Sequence, residues 1–67
     1  MLQCPQCGSE TFYIEREDRV VYFSVNEAGE AVDVMPPEEA VVLSPDTIIY
    51  CTVCTWNGVA GELKQDV

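Results

Sequence analysis

Four cysteines stand in two like frames, Cys4-Pro5-Gln6-Cys7 near one end and Cys51-Thr52-Val53-Cys54 near the other, and the chain contains no histidine. Two residues between paired cysteines let a tight turn bring both sulfurs to one ion at about 2.3 Å, while the amides of that turn aim back at the thiolates. Two such turns supply a tetrahedral set, with Cys4, Cys7, Cys51 and Cys54 as the candidate metal ligands. Four thiolates fill the coordination sphere and leave no position for water, so the pattern predicts a structural ion rather than a catalytic one. Zinc suits such a set, and iron does too. A redox dithiol of the thioredoxin kind would need a βαβ context with a helix after the motif, and no such pattern follows Cys4-Pro5-Gln6-Cys7.

The elements that must hold these turns come from a short chain. At 67 residues there is room for a single domain, 1–67, and a core of that size leaves the fold marginal unless something staples it. An apolar fraction of 48% is too high for a chain kept open by its charge. Residues 11–16 read as a strand with Phe12 and Ile14 on one face and Tyr13 and Glu15 on the other, and residues 19–25 form the second strand of a hairpin around Val21, Phe23 and Val25. Residues 26–30 read as a turn with Gly29 free to take a positive φ, followed by a short extended piece over 31–34. Residues 35–46 form an excursion with at most one helical turn, since Pro37 with Glu38 and Glu39 suits a helix start while Val41-Val42-Leu43 suits a strand. Residues 46–50 form a β-branched strand leading into Cys51, and residues 56–63 return beside it, weakened by Gly58 and Gly61.

The cysteine frames with their flanks, Cys4-Pro5-Gln6-Cys7-Gly8 and Ile49-Tyr50-Cys51-Thr52-Val53-Cys54-Thr55-Trp56-Asn57-Gly58, resemble the zinc ribbon family. That resemblance implies a small metal-bound β fold, an antiparallel β-sheet with two CxxC knuckles of the rubredoxin-like kind, binding one structural Zn2+ through Cys4, Cys7, Cys51 and Cys54. Gly8 fits the left-handed position that follows a knuckle, whereas Thr55 stands where the family usually has glycine. The 43 residues between Cys7 and Cys51 exceed the common ribbon spacing. Closing a loop somewhat over twice as long costs only about 0.8 kcal/mol more. Rubredoxins are similar in size, acidity and paired knuckles, so an iron electron carrier is the alternative reading.

Charge narrows the partners. Twelve acidic residues oppose three basic ones, Arg16, Arg19 and Lys64, for a formal net charge of -9; with four thiolates and one Zn2+ the total is about -11. A phosphate backbone is repelled by such a surface, so nucleic-acid binding is not expected. Glu27, Glu30, Asp33, Glu38, Glu39 and Asp46 form a run without a base, a candidate surface for a basic protein partner. Under a second alternative the acidity mimics nucleic acid for a basic protein. The apolar run Ala40 to Leu43 is a candidate contact patch, and Trp56 is expected in the core. The six aromatics, Phe12, Tyr13, Tyr22, Phe23, Tyr50 and Trp56, are expected to pack rather than to stack on bases. Size argues against an enzyme and against a small-molecule substrate. The longest apolar runs are four residues and no basic segment precedes an apolar one, so no membrane association and a cytoplasmic location are expected, where thiols stay reduced.

Overall fold

The computed structural model describes residues 1–65, and among them the regular structure is almost entirely antiparallel strand. In chain order these are β1 (Leu2–Gln3), β2 (Phe12–Glu15), β3 (Val20–Val25), β4 (Ala31–Met35), β5 (Ile48–Cys51), β6 (Asn57–Val59) and β7 (Lys64–Gln65), with a 3₁₀ turn at Ala60–Glu62 before β7. A five-stranded sheet runs β4-β3-β2-β5-β6, and β1 pairs with β7 in a separate two-stranded ladder.

The hairpin expected from the alternation of apolar residues forms as β2 and β3, with Phe12 opposite Phe23, Tyr13 opposite Tyr22 and Ile14 opposite Val21. That register puts Phe12, Ile14, Val21, Phe23 and Val25 on one face and leaves Val20, opposite Glu15, on the other. Phe12, Val21, Phe23, Val25 and Ile49 are fully buried there, joined by Leu2, Cys4, Cys51 and Ala60. The β3–β4 turn is held by Asn26, whose side-chain oxygen accepts from the amides of Ala28 and Glu30. Gly29 takes φ 82° inside it, the left-handed conformation that costs glycine nothing.

Across β3 and β4 the register slips between Tyr22, which faces Met35, and Ser24, which faces Val32. The extra residue is absorbed as a bulge in which Asp33 takes φ 53°. Asp tolerates the left-handed region better than most residues, because its short side chain adds little crowding to the backbone.

Residues 36–47 form no helical turn. A single turn closes at its start, from the Glu39 amide to the Pro36 carbonyl, and another closes from Thr47 to Ser44. Between these turns the chain must pass from β4, at one edge, to β5, beyond β2, and it crosses on the apolar face. Val41 and Leu43 pack against the core while Val42 between them is 89% exposed. The apolar run 40–43 is therefore a covering layer for the sheet and not a free patch. Arg16 fastens its start by donating to the Ala40 carbonyl at 2.8 Å. Glu39, also at that end, pairs with Arg19 at 3.2 Å and approaches Arg16 at 4.0 Å.

The final return is shorter than the 56–63 expected. Asn57–Val59 pairs with β5, after which the chain turns through Ala60–Glu62, held to the crossing segment by the Ala60 amide on Thr47 and the Gly61 amide on Pro45. Leu2 and Gln3 find their strand partners at Gln65 and Lys64, a pairing with no signal in so short a run of residues. Trp56 packs half-buried on the core, its ring 6.5 Å from Phe12 in an edge-on contact. Gly58 lies directly under that ring: a Cβ there would sit 2.8 Å from Trp56 Cζ2. What reads in sequence as a weak strand residue is the space the indole needs. Gly58→Ala forces the indole or the strand to move and is expected to destabilise the metal-loaded protein by roughly 1–3 kcal/mol, measured by denaturant unfolding; an unchanged midpoint would show that the ring shifts freely.

Candidate metal centre

Each cysteine pair lies in a turn of the same construction. The Cys4 amide donates to the Ser9 carbonyl at 2.8 Å, and the Cys51 amide donates to the Trp56 carbonyl at 3.0 Å, so both loops close over the same number of residues. Inside the first, the Gln6 amide points at Cys4 Sγ at 3.4 Å. Inside the second, the amides of Val53 and Cys54 point at Cys51 Sγ at 3.4 and 3.5 Å. These donors offset part of the negative charge on a bound thiolate, as the spacing predicts. Gly8 has φ 81° and closes the first loop with a further bond to the Cys4 carbonyl at 3.0 Å. Thr55 has no positive φ, so the second loop reaches the same closure without the left-handed residue that a β-branched side chain would resist.

The sheet brings the two loops together. β1 delivers Cys4 and β5 ends in Cys51, both buried, while Cys7 is exposed and Cys54 half-buried. A direct latch joins the loops at their outer side: Thr52, within the second, donates through its amide at 3.3 Å and its hydroxyl at 3.1 Å to the carbonyl of Thr11, just after the first. All four sulfurs lie within 4.8 Å of one another. Two short contacts cross between the loops, Cys4 to Cys54 at 3.6 Å and Cys7 to Cys51 at 3.5 Å. A tetrahedral ion with 2.3 Å bonds to sulfur sets neighbouring sulfurs about 3.8 Å apart, so the cluster has the size a single ion requires. A disulfide needs sulfurs at about 2.05 Å, and all four thiols are free. Among the described residues no carboxylate joins the group, which leaves four soft ligands and a cluster that could hold a metal ion.

Without a metal Cys51 and Cys54 do not ionise together. Burial works against the Cys51 thiolate, but amide donors from Cys54 and Val53 and the neighbouring thiols of Cys7 and Cys54 outweigh it, and its pKa falls from 9.0 to about 6. For Cys54 the Trp56 amide favours the thiolate, yet burial and the proton that Cys54 shares with Cys7, Cys51 and Cys4 prevail and push its pKa up to about 12. Cys51 takes the charge and Cys54 keeps its proton. A cation removes that conflict, and the site then holds all four as thiolates.

The residues expected to bind metal are thus brought together in full, and the acidic run is partly spent on internal pairing. Glu39 serves Arg16 and Arg19, and Glu27 accepts from the N-terminal ammonium at 2.8 Å. The Thr11–Thr52 latch carries no motif of its own and could be found only once the loops were placed side by side. No family model matches the chain, and neither a curated protein nor a solved structure matches it.

Two outcomes follow from this geometry. Thr52→Val removes the hydroxyl contact to Thr11 and is expected to weaken metal affinity by roughly tenfold, read by competition with a chromophoric chelator; an unchanged affinity would show the latch to be idle. In the reduced, metal-free chain the lowered Cys51 pKa contributes stability that is present above the ordinary thiol value and is lost as pH falls through about 6. Raised Cys54 acts with the opposite sign, opposing the metal-free fold as pH climbs from 9.0 towards about 12. Thiolate absorbance read immediately after rapid chelation, before the metal-free chain unfolds, should therefore show a step near pH 6, and its absence would show that the loop amides do not favour the Cys51 thiolate.

Proposed function

We propose that the chain is a zinc ribbon in which Cys4, Cys7, Cys51 and Cys54 hold one structural Zn2+, and that it works without catalysis, as an interaction module whose acidic surface meets a basic protein partner. The observation that carries the metal reading is the set of four sulfurs within 4.8 Å of one another, with no other ligand type in the group. A sphere filled by thiolates leaves no place for a reacting water or substrate. Binding energy at such a site is folding energy, of roughly 10–16 kcal/mol for zinc in small finger peptides. The interaction reading rests on charge: with zinc bound the total is about -11, which favours a basic protein and disfavours nucleic acid.

The amide donors at Gln6, Val53 and Cys54 favour one further reading, a rubredoxin-like iron carrier, because bonds of this kind tune the potential of a cysteine-ligated iron. Thr55 and the β-rich span between the knuckles weigh on the side of zinc. Protein recovered from cells grown with both metals is expected to be colourless, with one zinc per chain by elemental analysis; red protein with stoichiometric iron would reverse the assignment. Cys51→Ser is expected to abolish cooperative unfolding at 25 °C, and a transition that survives both in this variant and in strong chelator would refute a structural metal altogether.

A further inference from the structure

The five-stranded sheet has two unlike faces. Its apolar face is covered by residues 36–47, the first cysteine loop and the 3₁₀ turn. The opposite face carries a row of side chains that follows from the register: Met35 on β4, Tyr22 on β3, Tyr13 on β2 and Tyr50 on β5 stand side by side across four strands. Tyr13 stacks on Tyr50 with ring centroids 5.3 Å apart and meets Tyr22 at 6.1 Å. Met35 is 60% exposed, Tyr22 47% and Ile48, flanking the row, 50%. Tyr13 and Tyr50 are half-buried, and among the described residues no hydrogen bond engages the three phenolic hydroxyls. The sheet thus leaves the Tyr22 ring exposed beside two half-buried ones, although a small domain needs each large apolar side chain for its core.

The charges beside the row have one sign. Glu15 shares the face with Tyr13, and Glu17 and Asp46 lie at the same end of the sheet, exposed and without ion pairs. The bases nearest to them, Arg16 and Arg19, are engaged with Glu39 and Asp18. No lysine or arginine occurs among the strand residues of the five-stranded sheet.

We propose that this face is a docking surface for an arginine-bearing segment of another protein, its guanidinium planes lying on the rings of Tyr13, Tyr22 and Tyr50 and its charge answered by Glu15, Glu17 and Asp46. The inference rests on the interaction-module reading and supplies the surface and the chemistry of the partner. Guanidinium is planar and weakly hydrated, so it stacks on an aromatic face better than ammonium does. A nucleobase could stack on the same rings, but its phosphates would meet carboxylates with no base on the face to offset them. A second copy of the chain would bring the same negative charge and the same Glu15 to the interface.

The test titrates the zinc-loaded protein, at physiological ionic strength, with a short Arg-Ala repeat peptide, its Lys-Ala counterpart and oligouridylate. The arginine peptide is expected to bind several-fold more tightly than the lysine one, oligouridylate not to bind, and the double variant Tyr22→Ala/Tyr50→Ala to lose at least tenfold in affinity while keeping one zinc per chain. In the unaltered protein the ring resonances of Tyr13, Tyr22 and Tyr50 should move on titration while those of buried Phe12 stay, which keeps the test independent of how the variant folds. Binding that survives the double variant and is lost in Glu38→Gln/Glu30→Gln would overturn the sheet face and leave the interaction module standing. Absence of binding by any basic peptide would overturn both. Binding of oligouridylate, or a concentration-dependent dimer abolished by Tyr22→Ala, would also overturn the proposal by giving the face another occupant.

Discussion

Four sulfur atoms within 4.8 Å of one another are a demanding arrangement for a small protein, because each prefers to be a thiolate when it binds a cation and none tolerates three thiolate neighbours without one. The rest of the chain answers to that requirement. β1 and β5 present Cys4 and Cys51 from the buried side, and the amides of Gln6, Val53 and Cys54 turn towards the inner sulfurs. Thr52 ties one loop to the strand that follows the other. Phe12 joins the two halves of the problem: it is buried in the core, faces Cys51 across the β2–β5 ladder and meets the Trp56 ring. Metal site and apolar core form one cluster, with Cys4 and Cys51 belonging to both.

Much of this was legible in the sequence because it depends on local pattern. The CxxC spacing names the four residues that meet, and the alternation through residues 12–15 and 20–25 names the buried face of the hairpin. Gly8 and Gly29 mark the two glycines that take left-handed backbone. Other features depend on contacts between distant segments and have no local trace. Leu2 and Gln3 become a strand only because Lys64 and Gln65 arrive beside them. Val41 and Leu43 look like an exposed patch until the crossing from β4 to β5 is known to run over the apolar face. Trp56 gives no hint in sequence that its partner in space is the glycine two residues on. Strand composition marks the tyrosines for packing, and Tyr13 and Tyr50 do stack half-buried; period-two alternation puts Tyr13 and Tyr22 on the face opposite Phe12 and Phe23, but only the finished topology shows that Tyr22 is left exposed.

The long spacer between the knuckles therefore has a definite physical role. Two cysteine turns on a short connection would have little packing to hold them, whereas residues 12–51 here contribute four strands of a five-stranded sheet and their own covering layer. The loop-closure cost of that length is small beside the apolar surface it buries. Its folding is still tied to the cysteine cluster, since β5 ends in Cys51 and pairs with β2, the strand that follows the first cysteine turn.

The bulge at Asp33 bears on how this molecule behaves in a crowd. β4 is an outer strand, and an outer strand with a regular row of free amides and carbonyls invites another sheet to continue it. One additional residue in left-handed backbone breaks the spacing of that row, and a carboxylate at the break charges any strand that would lie against it. Continuation of the sheet by a further strand is thereby disfavoured at β4.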